Sequence, residues 1–246
     1  MSANEIQKAL RLVIEPKRAV SAPRFFKTGP GQYGEGDRFL GVPVPAQRSI
    51  AKTWQAEPLA ELAKLVTSPI HEERLTGLFI LVRQFERASR GRTANAETQR
   101  LAYEFYMKHL DAVNNWDLVD SSAPNILGGY LLTQPASARK QLLKLARSKN
   151  QWHRRIALLA TSAFIRVGEF EDTLKLSDLL LSDTEDLIHK AAGWMLREVG
   201  KRDISVLRAF LNRHAHAMPR TQLRYALEKL SGAERQRYLK ASRALG

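Results

Sequence analysis

Apolar residues recur every three or four positions along nearly the whole chain, and this period limits what it can fold into. The series Leu75, Leu78, Phe79, Val82 and Phe85 is a clear example. Residues three or four apart share one face of a helix, so each such series predicts an amphipathic helix with one buried face. No stretch shows the alternating pattern that is typical of a β-strand. The sequence therefore predicts an all-α protein.

Short interruptions of this pattern set the lengths of the predicted helices. They fall at Pro45, Pro58, Ser68-Pro69, Gly91, Ala123-Pro124, Gln134-Pro135, Gly168, Gly200, Pro219 and Ser231-Gly232. Most intervals hold one helix of roughly 10 to 18 residues, and helix pairs recur roughly every 35 to 45 residues. This spacing favours an irregular α-solenoid of HEAT-like helix pairs, with an ordinary helical bundle as the alternative. No linker divides residues 1–246, so we expect a single domain.

One segment departs from the helical pattern. Residues 28–44, approximately, are rich in glycine and proline. This composition predicts a loop over the surface, and surface loops often contribute to binding sites. We expect the loop to lie against the ligand cleft.

The chain has a large excess of positive charge. It contains 39 Lys and Arg against 25 Asp and Glu, a formal net charge of +14. Such an excess favours a phosphate-rich partner. In a solenoid, the turns of successive repeats line up, which predicts a concave basic groove along a DNA backbone. From the basic groups near helix starts and turns we expect backbone contacts from Arg154, Lys190 and Arg197; the alternative for any one group is a solvated helix face.

Several classes of protein are excluded or disfavoured. The chain has no Cys, which rules out disulfides and thiolate metal sites. The six His residues are scattered, and His214 and His216 do not share a helix face, so we expect neither a metal nor another cofactor. No apolar run is long enough to cross a membrane. Residues 1–13 lack a signal-peptide core, which predicts a cytosolic protein, and nothing demands more than a monomer.

Trp116 and Asp120 are the most informative pair of residues, since they lie four apart on one face of a predicted helix. A lone Trp on a helix is usually a core residue, and a lone acid in a basic chain is often a salt-bridge partner. Arg155 and Trp194 lie on other predicted helices. Together the four residues would form an aromatic box with one acid and one cation, which suits a cationic, planar or sugar-like substrate.

Four segments around these residues resemble one family. They are Arg38–Arg48, Asn115–Asp120, Trp152–Arg155 and Ala192–Glu198. In this order and approximate spacing, they are similar to segments of the bacterial AlkD-type DNA alkylation repair glycosylases, which are built from HEAT-like repeats. The resemblance covers about residues 5–230.

The resemblance implies a role for each residue. Asp120 is the implied catalytic carboxylate, Trp116 and Trp194 the implied aromatic walls around the lesion nucleoside, and Arg155 the implied contact to the DNA backbone. Phe25, also expected to contact the substrate, stands where close relatives have Tyr. A second departure is Asn115, since relatives can have an aromatic residue there. The implied substrate is duplex DNA with N3-alkyladenine or N7-alkylguanine.

The chemistry of such lesions fits a single carboxylate. An N3- or N7-alkylpurine is already a cation and a good leaving group, so no general acid is needed. The enzyme must stabilise a positively charged sugar and orient a water molecule. No Lys is placed for a Schiff base, which predicts a monofunctional glycosylase. Two alternatives remain: a non-catalytic DNA-binding HEAT-repeat protein that recognises damaged or branched DNA, and a protein-interaction solenoid.

Overall fold

The computed structural model describes residues 2–241, and every regular element in this range is helical. The helices are α1 (Ala3–Arg11), α2 (Pro16–Phe25), α3 (Val44–Thr53), α4 (Leu59–Val66), α5 (His71–Ala88), α6 (Ala96–Lys108), α7 (Trp116–Ser122), α8 (Gly129–Leu132), α9 (Lys140–Ala146), α10 (Gln151–Ala160), α11 (Ser162–Arg166), α12 (Glu171–Leu179), α13 (Asp186–Arg202), α14 (Ile204–His214), α15 (Arg220–Ala226) and α16 (Gly232–Ala241). Within the described range, strand-like pairing is limited to an isolated bridge between Arg38 and Ile70. The prediction of an all-α protein is confirmed.

The chain divides into two compact units, Met1–Tyr130 and Leu131–Gly246. In the first unit, α5 packs against α3, α4, α6 and α7. In the second unit, α10 packs against α9, and α13 packs against α12, α14 and α15. Within each unit, helices that are close in the chain are therefore packed together, as the prediction of helix pairs requires. That residues 1–246 act as one domain stays a prediction.

Helix α5 forms the centre of the first unit. Fourteen of its 18 residues are buried, so the helix is covered on nearly all sides. The buried residues include four consecutive polar ones at its start, from His71 to Arg74, each no more than 4% exposed. Charged side chains are rarely buried unless they are paired. The first turn of α5 is therefore where a buried polar network has to form.

Glu72 ties the glycine-rich loop to this helix. Its carboxylate accepts hydrogen bonds from the backbone N–H groups of Leu40, Gly41 and Val42, at 2.9, 2.7 and 3.2 Å. A buried carboxylate and three backbone donors thus satisfy one another. The end of the loop is fixed, while its beginning is not part of this contact.

Gly41 allows α2 to dock on the loop. Its φ of +84° lies in the left-handed region, and a Cβ atom there would lie 2.5 Å from the backbone nitrogen of Ala19. Only glycine fits both requirements. The N–H of Glu15, just before α2, donates to the carbonyl of Gly41 at 3.1 Å. The loop thereby positions a helix that has no buried residue of its own.

The predicted loop ends one residue earlier than expected. Residues 28–43 form no helix, but Val44 is the first residue of α3. Pro43 has the extended conformation of a residue that precedes a helix, and Pro45 lies in the first turn, where proline is well tolerated. Val44 therefore belongs to α3 and not to the loop.

In the second unit, α13 is held close to α15. A Cβ atom on Gly193 would lie 2.6 Å from Cβ of Tyr225, so any larger residue would push the two helices apart. Leu196, one turn later, belongs to a buried apolar cluster with Leu207, Leu211 and Leu223. This packing fixes the helix on which Lys190, Trp194 and Arg197 are found.

Candidate functional site

Helix α7 begins at Trp116, where Asn115 caps it. The Asn115 side-chain oxygen accepts a hydrogen bond from the Trp116 N–H at 2.8 Å, and the residue is fully buried. Capping by Asn is among the strongest start signals for a helix. Because α7 is helical, Trp116 and Asp120 lie one turn apart on the same face, and both are half-buried. The predicted helix and the predicted shared face are confirmed.

Stacked aromatic rings hold Trp116. The ring of Phe26 lies between Phe39 and Trp116, with centroids 4.9 and 5.5 Å away and nearly parallel planes. Phe25 meets Trp116 edge-on at 5.8 Å and is 65% exposed. Both are favoured geometries for aromatic pairs. The loop and the end of α2 thus fix the orientation of the indole.

Buried charged groups lie under this aromatic cluster. The imidazole of His71 contacts Asp37 through Nδ1 at 3.0 Å and Asp117 through Nε2 at 2.7 Å. Arg74 also donates to Asp37, and the side-chain amide of Asn115 donates to it at 3.0 Å. Three segments, namely the loop, α5 and the first turn of α7, are joined by this network.

Electrostatics keeps the network charged. Burial by itself would lower the pKa of His71, but the hydrogen bonds and negative charges of Asp117 and Asp37 outweigh it and raise this pKa to about 9. Burial would raise the pKa of Asp37, yet His71, Arg74 and Asn115 together lower it. At neutral pH the network therefore contains an imidazolium with a carboxylate on each side.

A cavity of about 510 Å³ lies beside the aromatic cluster in the first unit. Its walls are mainly apolar and include Phe25, Phe39 and Phe79. The acid that α7 contributes to this lining is Asp117. The size is within the range of small-molecule sites.

Asp120 acts electrostatically on a buried tyrosine. The hydroxyl of Tyr106 lies 3.0 Å from the hydroxyl oxygen of Ser122. Burial, together with the negative charge of Asp120, raises the pKa of Tyr106, although the hydrogen bond with Ser122 lowers it. The carboxylate of Asp120 is thus close to a phenol that stays neutral.

The two residues of α10 that are predicted to contact the DNA backbone form hydrogen bonds within the second unit. Arg155 is 5% exposed, and its Nη1 donates to the carbonyl of Leu187 at 2.7 Å. Arg154 donates to both carboxylate oxygens of Asp183 and to the carbonyls of Ser148 and Lys149. These bonds hold the turn before α10 and the segment around the start of α13. A backbone contact from either arginine stays a prediction.

The predicted residues of α13 are all partly exposed. Lys190 forms an ion pair with Asp186 at 2.8 Å, in which both side chains are exposed. The indole N–H of Trp194 donates to Glu198 at 3.1 Å. Glu198 also accepts from Lys201 at 2.7 Å. Arg197, 18% exposed, pairs with Glu198 and Glu228.

Among the predicted site residues, the structure thus brings together Phe25, Trp116 and Asp120 in the first unit. The second unit contains Arg154, Arg155, Lys190, Trp194 and Arg197. Their roles as site residues stay predictions.

Sequence reasoning missed the residues that support Trp116. Phe26 and Asp37 had not been assigned a role, and neither had His71. The sequence does contain one signal: four consecutive polar residues, His71 to Arg74, directly precede the apolar series that begins at Leu75. A polar run inside a buried helix has to be paired, so it marks a network even though its partners cannot be read from the sequence.

Two absences hold for the described residues. None of their helices is long and apolar enough to cross a membrane. Among the same residues, there is no cluster of three or more His, Asp or Glu side chains that could hold a metal ion.

Comparison with known proteins adds the family. A solved structure described as a predicted DNA alkylation repair enzyme from Enterococcus faecalis matches with a TM-score of 0.64 and 16% sequence identity, over 89% of this chain and 97% of that chain. At this identity the match shows the fold. No curated protein sequence matches the chain. The family model for DNA alkylation repair enzymes matches residues 6–230, and the chain therefore belongs to the DNA alkylation repair enzyme family.

Proposed function

We propose that the protein is a monofunctional DNA glycosylase that removes cationic alkylated purines, N3-alkyladenine and N7-alkylguanine, from duplex DNA. The observation on which this proposal rests is the pair on α7: Asp120 lies one turn after an indole whose orientation is fixed by aromatic packing. Family membership supports a repair role, and the net charge of +14 supports a DNA partner. In this proposal the protein acts as a cytosolic monomer.

Asp120 is the proposed catalytic residue. As the N-glycosidic bond breaks, its electron pair leaves with the cationic purine, which departs as a neutral base. The positive charge passes to the sugar, where the carboxylate of Asp120 stabilises it. A water molecule adds to C1′ and loses a proton to Asp120, which later releases that proton to solvent. The products are the free base and an abasic site.

The aromatic residues are proposed to contact the lesion. Trp116 and Phe25 present an indole and a phenyl group, which attract a cationic purine by about 0.5 to 2 kcal/mol for each good contact. A contact of the same kind is proposed for the indole of Trp194, as the family resemblance implies. Phe25 is the most exposed of these rings. It lacks a hydroxyl, so its contribution is limited to its ring.

The cations of the second unit are proposed to bind the phosphate backbone. Lys190 forms an exposed ion pair with Asp186, and such pairs are weak enough to be exchanged for a phosphate. The guanidinium groups of Arg154, Arg155 and Arg197 already make bonds within the protein. We propose that they add to the positive potential at the backbone while holding their helices.

The test measures free 7-methylguanine and 3-methyladenine released from methylated duplex DNA, by chromatography under single-turnover conditions. Wild-type protein is expected to release both bases. Asp120→Asn is expected to lower the rate by at least about 100-fold, because it removes the negative charge while keeping a side chain of nearly the same size. Asp111→Asn is the matched control, since it makes the same exchange at an exposed acid just before α7.

Two results would contradict the proposal in different ways. Release by Asp120→Asn at the wild-type rate would remove Asp120 from the mechanism. Salt-dependent binding of the methylated duplex by wild-type protein, without release of either base, would favour the non-catalytic DNA-binding alternative.

A further inference from the structure

His71 is the point where the supports of α7 meet. Its two ring nitrogens contact carboxylates from two other segments, Asp37 in the loop and Asp117 in α7. The ring also packs against Phe39 at 4.7 Å and Phe26 at 4.8 Å, measured between centroids. Only 2% of the side chain is exposed. The residue therefore contacts α7 both directly and through Phe26.

We infer that His71 is a positioning residue for the site on α7: by linking Asp37 to Asp117 and packing under Phe26, it sets the positions of Trp116 and Asp120. This inference rests on the proposed function. His71 is not a catalytic residue, since it acts through the backbone of α7 and through the aromatic stack.

Geometry explains why the protonated ring is required. An imidazolium donates from both nitrogens, whereas a neutral imidazole donates from one and presents a lone pair on the other. Deprotonation thus leaves one carboxylate, Asp37 or Asp117, without a donor from the ring. The bridge through His71 then no longer joins the loop to the first turn of α7. The hydrogen bond from the Asn115 side chain to Asp37 still links these two segments.

The charged groups around His71 come from every element near it. The loop contributes Asp37, α7 contributes Asp117, and α5 itself contributes Glu72 and Arg74. Arg18 of α2 lines the same cavity. The two carboxylates in direct contact outweigh the desolvation of the ring, which is why its pKa is raised to about 9. The cationic form that bridges both acids is therefore the form present at neutral pH.

The test replaces the histidine and keeps a ring. His71→Phe retains an aromatic ring under Phe26 but removes both hydrogen bonds and the charge. His109→Phe is the matched control: His109 is a half-buried histidine of the same unit, packed against Phe105 with ring centroids 4.2 Å apart and outside the network. Asp117→Asn is a second, milder variant, which keeps an oxygen acceptor and removes one charge.

The first readout is single-turnover base release against pH from 6.5 to 10. The wild-type rate is expected to fall as the pH rises through about 9. His71→Phe is expected to be slower by about 10- to 100-fold at pH 7.5, the loss typical of a reacting group displaced by about 1 Å, and to lack the fall near pH 9. Its affinity for DNA should stay within about threefold of wild type. In Asp117→Asn the fall should move to lower pH, because one of the two charges that raise the pKa is gone.

The second readout does not require activity. With 5-fluorotryptophan in place of its four Trp residues, the protein gives a ¹⁹F signal for Trp116 that is assigned by its loss in Trp116→Phe. This signal is expected to shift with a midpoint near pH 9 in wild type and in His109→Phe, and to show no such step in His71→Phe.

The outcomes separate the two proposals. If wild-type protein releases no base, the proposed function fails and the ¹⁹F titration alone decides the role of His71. A Trp116 signal without a step near pH 9 in wild type would overturn the inference, as would wild-type rates in His71→Phe. Should His71→Phe fail to fold, the shift of the step in Asp117→Asn is decisive, and an unshifted step contradicts the role of the Asp117 contact.

Discussion

The two units each contain a tryptophan followed four residues later by an acid, and the two pairs are held in different ways. In α7, Trp116 is fixed through its ring by Phe26, and the charged network lies below that stack. In α13, Trp194 is fixed through its indole N–H, which donates to Glu198 itself. Glu198 therefore holds the indole of Trp194 directly, whereas the indole of Trp116 is held by the ring of Phe26.

This difference separates two acids that look alike in the sequence. Partial burial would raise the pKa of Glu198, but Lys201 and Arg197 lower it. Its stabilising contribution is therefore present above its ordinary pKa near 4.5 and is lost as the pH falls through the lower folded value. The support of Trp116 depends on His71 and weakens at the opposite, alkaline end. The two pairs are thus expected to fail at opposite extremes of pH.

The largest expected effect is on stability at high pH. Because the pKa of His71 is raised from about 6.5 to about 9, its contribution is fully present below pH 6.5 and is lost as the pH rises through about 9. The shift corresponds to roughly 3 kcal/mol of unfolding free energy. Urea unfolding at pH 6.5, 8 and 10 measures it. If His71→Phe loses as much unfolding free energy between pH 6.5 and pH 10 as wild type does, the loss arises from groups other than His71.

A medium effect is expected from the aromatic stack. Phe26→Ala removes the ring between Phe39 and Trp116 and should lower the unfolding free energy by about 2 kcal/mol, less than for a fully buried phenylalanine. Phe25→Ala, at an exposed ring with edge contacts, is the control and should cost under about 1 kcal/mol. Denaturant unfolding of both variants measures these losses. Equal losses of unfolding free energy would show that the stacked ring of Phe26 stabilises the protein no more than the exposed ring of Phe25.

The smallest effect is expected at Glu198. Glu198→Gln keeps an oxygen that can accept from the indole of Trp194 and removes the pair with Lys201, so stability should change by less than about 1 kcal/mol. Base release should change by less than about fivefold, in contrast to Asp120→Asn. Equally slow base release in the two variants would erase the proposed distinction between the acids.

The helical fold could be predicted because its signals are local. The spacing of apolar residues and the positions of the prolines predict an all-α fold. Asn115 before Trp116 is a helix cap that can be recognised without a structure. The partners of a buried charge are not local. Asp37 and Asp117 lie 34 and 46 residues from His71. No period in the sequence connects them, which is why the network escaped prediction.

The basic residues show a second limit of sequence reasoning. Arg154 and Lys190 are equally cationic in the sequence, yet the first is bonded to Asp183 and two carbonyls, and the second is in an exposed pair. Net charge predicts the kind of partner. The net charge does not predict which cationic side chains form hydrogen bonds within the protein, as Arg154 does.

The contact between Glu72 and the loop also determines where this protein tolerates foreign sequence. Residues 40–42 have their amides held by one carboxylate, so lengthening the chain there would break three hydrogen bonds at once. Gly31 faces open space, with no atom within 4 Å of the position of a Cβ. A short tag or a fluorescent label inserted next to Gly31 is therefore expected to leave α5 and α7 intact. Such an insertion would provide a reporter in the loop that contributes Phe39 to the aromatic cluster.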